Sequence, residues 1–295
     1  MATKKEMFEE LIASMGNPVE DTIQNVSGIF YGESGGGKTI TAIRLAKAIC
    51  QEYGGETLML DAVNAWRSVK NHPDLHEGLT RIPYSGKVQL DTIIELIEFQ
   101  QPPFDKFKVV ILDEMSSMTD KDGDIVLEAE AKKIDGKDPD VLTQPDMGKT
   151  TERMRRTVTA LLKQDISVIF VAHQRQDEDK AVGYKVTRPR FMPKFSGTIR
   201  EGLDFVVHCT AVESNRGDNE IHYVRKLQTS PTKTVVAKSR IGGLGLYESP
   251  ESFIQGTITW MKGKVGDSTV STIVDDRQLD TSEVADDFPG ISVEV

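Results

Sequence analysis

The chain has 295 residues, 38% hydrophobic and 28% charged, with a formal net charge of −10. This length can bury the core of one large α/β domain or two small ones, and the composition is ordinary for a soluble globular protein. No apolar run approaches a bilayer span and the opening Met1-Ala2-Thr3-Lys4-Lys5 lacks a signal-peptide core, so no membrane partner is expected.

In chain order, residues 4–15 predict a short helix within an N-terminal helix and linker of residues 1–23. Val26 to Tyr31 is an apolar, β-rich run that ends in glycine and predicts a buried strand. A helix is predicted from Lys38 to about Tyr53, stopped by Gly54-Gly55. Thr57 to Asp61 predicts a second strand. Leu90, Ile93, Ile94 and Ile97 repeat at helical spacing until Pro102-Pro103. Lys108 to Asp113 is continuously apolar before its acid, as in a strand buried on both faces of a parallel sheet. Residues 119–150 are polar, with scattered Gly and Pro, and predict an insertion. Met154, Val158, Leu161 and Leu162 form a helical stripe before the strand Ser167 to Ala172. A charged loop is expected over 174–192, then strands at Leu203–Ala211 and Glu220–Leu227 and a helix near Pro250–Lys262. Strands alternating with helices predict a mostly parallel, doubly wound α/β sheet over a core of residues 24–264.

From Gly266 onward Asp267, Asp275, Asp276, Asp280, Glu283, Asp286, Asp287 and Glu294 stand against Arg277 alone. That stretch carries −7 of the −10, and it is too poor in large apolar residues to fold by itself, so 265–295 is expected to be a disordered acidic tail. The acidity of the whole chain therefore does not exclude a basic groove on its body. Cys50 and Cys209 lie inside apolar segments and read as buried free thiols, which fits a reducing cytoplasm.

The chemistry concentrates in three strand ends. Gly32-Glu33-Ser34-Gly35-Gly36-Gly37-Lys38-Thr39 matches the phosphate-binding loop without a mismatch and has the required strand before it and helix after it. Its glycines let backbone N–H groups turn inward around phosphates, and the helix through Ile40 presents its positive end to the same anion. Lys38 is expected to neutralise β and γ oxygens and Thr39 to ligate Mg2+ of a bound ATP. Val109-Val110-Ile111-Leu112-Asp113-Glu114 places an Asp where it can hold the metal and a Glu where it can orient water. At the third strand end, His173 or Gln174 would face the γ-phosphate, or His173 simply closes the strand.

Together, the Gly-rich loop, Leu58-Met59-Leu60-Asp61-Ala62, Leu112-Asp113-Glu114 and Ile169-Phe170-Val171-Ala172-His173 resemble the RecA-like ATPases. With Gln144-Pro145-Asp146-Met147-Gly148-Lys149, they are similar to the short, core-only versions encoded by bacteriophages. The resemblance covers roughly residues 24–262. It implies a RecA-like P-loop fold with helices on both faces, and ATP hydrolysis coupled to single-stranded DNA in recombination or annealing. It also implies a place in the cytoplasm of a bacterial host. One departure is Val63, which stands where RecA carries its catalytic glutamate, so water activation would pass to Glu114.

Lys238-Ser239-Arg240-Ile241-Gly242 is similar to the Lys-x-Arg-x-Gly of hexameric RecA-like helicases. There the cations reach a neighbouring subunit's site, which implies a homo-oligomeric ring or filament; otherwise the segment is a solvated basic turn. For DNA the candidates follow His173: Arg175, Lys180, Lys185, Arg188, Arg190, Lys194 and Arg200, interleaved with Tyr184, Phe191 and Phe195. Cations there can pair with phosphates and aromatic faces can stack on bases, and in RecA relatives the second DNA-binding loop occupies this place. The tail competes with DNA for the basic groove, recruits a single-strand binding protein, or only maintains solubility. The competing functions are a hexameric helicase or DNA-packaging translocase, an ATP-gated assembly protein with little hydrolysis, and a small-molecule kinase.

Overall fold

A computed structural model describes residues 25–138, 140–179, 183–190, 201–215 and 221–263; the expected N-terminal helix and acidic tail lie outside them. Ser27–Gly32 (β1) runs through the Gly-rich loop into Lys38–Tyr53 (α1), which ends at Gly54 with φ of 79°. Glu56–Asp61 (β2), Trp66–Val69 (α2), Leu79–Pro83 (β3), Lys87–Glu98 (α3) and Phe107–Asp113 (β4) follow. Met115–Ala131 (α4) and Gln144–Leu161 (α5) precede Ser167–Asp179 (β5), Tyr184–Pro189 (β6), Phe205–Asn215 (β7) and Ile221–Gln228 (β8). The short strands Lys238–Ser239 (β9) and Tyr247–Glu248 (β10) lead to Pro250–Met261 (α6).

The sheet order is β10-β8-β7-β1-β5-β4-β2-β3, with β6 paired to β5 and β9 to β7. The six strands from β7 to β3 are parallel, and β8 and β10 extend the edge in antiparallel fashion. Thus β5 separates the strand that bears the glycine loop from the strand that bears Asp113. Alternate side chains serve opposite faces. Val110 and Leu112 pack with Leu90, Met118 and Val158 of α3, α4 and α5, whereas Val109 and Ile111 pack with Ile43, Leu45 and Phe253 of α1 and α6. Both faces are covered by helices, which is why these strands read as unbroken apolar runs. The expected mostly parallel, doubly wound α/β architecture is the one observed.

Gly28 shows how tightly the second face is filled. A Cβ there would stand 2.2 Å from the Phe205 ring, which itself packs against Phe30 and Phe253 with centroids 5.1 Å away. All three rings are fully buried, so Gly28→Ala is expected to cost about 1–3 kcal/mol through overpacking, read as a lower denaturation midpoint at unchanged slope.

Two segments differ in detail from the sequence reading. The polar stretch 119–150 is largely helical: residues 119–131 complete α4 and 144–150 begin α5. Its buried stripe is sparse and includes Thr119, Asp122 and Gly123, so composition hides it. The start of α5 is marked by Asp146, which accepts from Thr143 N at 3.0 Å and Thr143 Oγ1 at 2.7 Å and pairs with Lys137 at 2.5 Å. The second difference is a correction. The expected charged loop after His173 is an antiparallel pair, with Gln174 to Asp179 of β5 opposite Tyr184 to Pro189 of β6. Tyr184, Val186 and Thr187 supply the strand-forming residues, and the high charge of its other positions masked them.

Candidate functional site

The glycine loop is moulded by the strand beside it. A Cβ on Gly32 would lie 2.2 Å from the Cys209 carbonyl oxygen, and one on Gly36 would lie 2.9 Å from it, so β7 backbone closes one wall of the loop. Gly35, with φ of 83°, faces open space. Gly37 is the N-cap of α1 in the left-handed region, and no side chain caps that helix. The first N–H groups of a helix have no intrahelical acceptor. Here those of Lys38, Thr39 and Ile40 therefore remain for an anion at the positive end of the helix.

Lys38 is buried and donates from Nζ to the Glu33 carbonyl oxygen at 2.7 Å. Burial lowers its pKa, against the raising pull of Cys209, Asp113, Glu114 and Glu33. Thr39 Oγ1 donates to Asp113 Oδ2 at 2.7 Å, joining the start of α1 to the tip of β4. Asp113 is pushed up to about 7, chiefly by burial and further by Asp61 and Glu114, while the Thr39 hydrogen bond and Lys38 oppose the shift. A divalent cation between Thr39 and Asp113 would offset this cost of burying the carboxylate. The exposed cradle, the free helix end and this hydroxyl–carboxylate pair fit magnesium with a nucleoside triphosphate.

Glu114 lies next to these groups but faces inward. Its Oε1 accepts from His173 N at 2.7 Å and Ser116 N at 3.2 Å, and its Oε2 accepts from Ser117 Oγ at 2.9 Å, with His173 Nε2 3.4 Å away. It thereby caps α4 and ties β4 to the tip of β5. Gln174 Nε2 donates to Glu33 Oε1 at 2.8 Å, and Gln174 Oε1 accepts from His208 Nε2 at 2.7 Å. Burial lowers the His208 pKa, in keeping with a neutral ring that donates here. The cleft above these groups, about 490 Å³, is lined by Gly32, Glu33, Ser34, His173 and Gln174, with Arg175, Gln176 and Arg190 at its outer side.

Lys38, Thr39, Asp113, Glu114, His173 and Gln174 thus converge. Lys238 and Arg240 do not join them. Ser239 pairs with Phe205 and Lys238 with Val206, level with Gly28 and Ile29 at the opposite end of β1. There Lys238 donates to Leu203 O at 2.7 Å, and Arg240 reaches Asp204 Oδ1 at 3.3 Å and Glu201 O at 3.0 Å.

Among the DNA candidates, Arg175 and Arg188 face each other in register, and Asp177 relieves their repulsion at 3.0 and 3.2 Å. Lys185 is exposed, and Arg190 bonds Asp120 Oδ2 at 3.0 Å. Phe191 and Lys194, with Lys180, Phe195 and Arg200, lie outside the described residues. Arg155 and Arg156 both bind Glu152 on the surface of α5. The sequence reading missed Ser116, Ser117, His208 and Arg225, whose side-chain stem lies against Gly37. A polar His208 within an apolar strand was the one signal available; nothing local marks the others.

No curated protein matches the sequence. Among solved structures, a KaiC-like protein from the hyperthermophilic archaeon Pyrococcus horikoshii OT3 is similar at 13% identity over 70% of this chain and 77% of that one, with a TM-score of 0.37. No helix among the described residues is long and apolar enough to cross a membrane. A family model described as an AAA domain matches residues 24–241, most of the chain. On that match, the protein belongs to the AAA domain family of P-loop ATPases.

Proposed function

We propose that the protein is a magnesium-dependent ATPase that couples ATP binding and hydrolysis to single-stranded DNA, in recombination or annealing of the kind served by the phage ATPases it resembles. The observation that carries the ATPase reading is the 2.7 Å contact between Thr39 Oγ1 and Asp113 Oδ2, close enough for one ion to be shared. When bound, magnesium-ATP would supply the phosphoanhydride to be cleaved and the positive charge that eases its cleavage. Thr39 and Asp113 would hold the ion, Lys38 and the first N–H groups of α1 would hold the phosphate charge, and Glu114 or His173 would orient the attacking water.

Coupling to DNA is supported by Gln174. This residue binds Glu33 of the phosphate loop and is also the first residue of the β5–β6 hairpin that carries Arg175, Lys185 and Arg188. That hydrogen bond is the link through which a change at the loop would reach the cations. ATP turnover is expected to rise with single-stranded DNA, and Lys185→Glu to weaken DNA binding while leaving turnover without DNA intact. Affinity should fall with salt by about 0.7 log unit per log unit for each phosphate contacted. Turnover indifferent to DNA, with salt-independent binding, would remove the DNA role and leave the ATPase.

An ATP-gated assembly protein with little hydrolysis is a second reading. It is favoured by Glu114, whose carboxylate is engaged by Ser116, Ser117 and His173. ATP retained without phosphate release, in the presence or absence of DNA, would select it.

A further inference from the structure

We infer that Arg225 is a nucleotide-binding residue, acting within its own subunit on the α-phosphate end of the bound triphosphate; this rests on the ATP site proposed above. Three observations carry it. The first is contact with the loop. A Cβ on Gly37 would stand 2.5 Å from Arg225 Cδ and 2.7 Å from its Nε, so the side chain crosses the glycine that caps α1.

The second is strand register. Gly32 pairs with Cys209, whereas Arg225 pairs with Ala211, two residues further along β7. Thus β7 and β8 run past the end of β1 and carry Arg225 over the loop that follows. The third is the guanidinium itself. The Arg225 side chain is exposed and no hydrogen bond or ion pair joins it to a described residue, so its donors are available to an anion at the start of α1.

Sheet order fixes which end of the anion it meets. Asp113 and His173 stand on β4 and β5, to one side of β1, while Arg225 stands on β8, to the other. In the proposed site, an ion held by Thr39 and Asp113, which meet at 2.7 Å, would draw the terminal phosphates to the first side. The phosphate nearest the nucleoside is therefore the one presented to Arg225, where a planar fork of donors suits two of its oxygens. The contact also gives Gly37 a second reason to be glycine, besides its φ of 83°.

The test is calorimetric titration of wild type, Arg225→Gln and Arg225→Lys with magnesium-ADP and with a non-hydrolysable magnesium-ATP analogue. Arg225→Gln is expected to weaken both nucleotides by the same factor, about 10- to 100-fold for a charge-assisted hydrogen bond, and Arg225→Lys to recover part of the loss. The melting temperature without nucleotide should be equal in all three proteins, since the side chain is exposed. Wild-type affinity for both ligands in Arg225→Gln would overturn the inference, as would a loss confined to the ATP analogue, which would place the guanidinium at the γ-phosphate. If the wild type itself bound neither nucleotide, the ATP site would fail, and Arg225 with it.

Discussion

Lys38→Met is expected to lower ATP turnover by about 100-fold or more while leaving the melting temperature of the protein without nucleotide unchanged or raised. The first half follows from position. The Lys38 ammonium lies in a water-poor pocket beside Asp113 and Glu114, at the start of a helix whose free N–H groups address the same anion. Loss of one such preorganised contact typically costs about 10²–10³ in rate. The second half weighs the lost hydrogen bond to Glu33 O at 2.7 Å against the relief of a buried cation, whose pKa burial lowers. Methionine has a similar length and no charge to desolvate. Nucleotide should separate the two proteins further. At 100 times its dissociation constant, a ligand stabilises the wild type by about 2.7 kcal/mol, and the variant should show little of this. Phosphate release and thermal melts with and without magnesium-ATP measure both effects. Turnover close to wild type in Lys38→Met would sink the assignment.

Glu114→Gln is expected to fold like the wild type, retain ATP and lose turnover by about 100-fold or more, the usual share of a general base. Its hydrogen bonds explain why the fold survives. Two main-chain donors, His173 N and Ser116 N, converge on Oε1 and cannot reverse, whereas Ser117 on Oε2 is a hydroxyl that can turn to accept. A glutamine with its oxygen toward the main chain and its NH2 toward Ser117 satisfies His173 N, Ser116 N and the Ser117 hydroxyl. Glu114→Ala has no such solution. It strands the Ser116 N–H, at about 1–3 kcal/mol, and leaves His173 N only the longer bond to Ser116 Oγ at 3.3 Å, so it should melt below the glutamine variant. Comparing the pair separates charge from scaffold: full turnover in Glu114→Gln would reduce Glu114 to a clamp between β4 and β5.

Much of this was legible because local and global signals agreed. The loop of Gly32 to Thr39 carries its own geometry in its glycines, and Val109 to Asp113 declares burial on both faces by lacking alternation. The α4 segment was harder because its inward stripe includes polar residues: Thr119 bonds back to the Met115 carbonyl, and Asp122 is satisfied by Tyr84 and Lys87, distant in sequence. The hairpin after His173 was hidden by charge, since Arg175 and Arg188 are tolerable in register only with Asp177 between them. The inward turn of Glu114 and the reach of Arg225 are properties of strand order, which no window of sequence contains. Lys238 and Arg240 match a family motif, yet within one subunit they bind Leu203, Asp204 and Glu201.

The position of β1 has a consequence for how the protein is made. Its two neighbours in the sheet, β5 and β7, begin at Ser167 and Phe205, and the wall of the loop is the Cys209 carbonyl. Such distant pairings carry a high loop-closure cost and form slowly. On a ribosome the residues of the phosphate loop emerge early but take up their working shape only after more than half of the chain has followed, so the nascent protein has no finished nucleotide pocket until β7 has been synthesised.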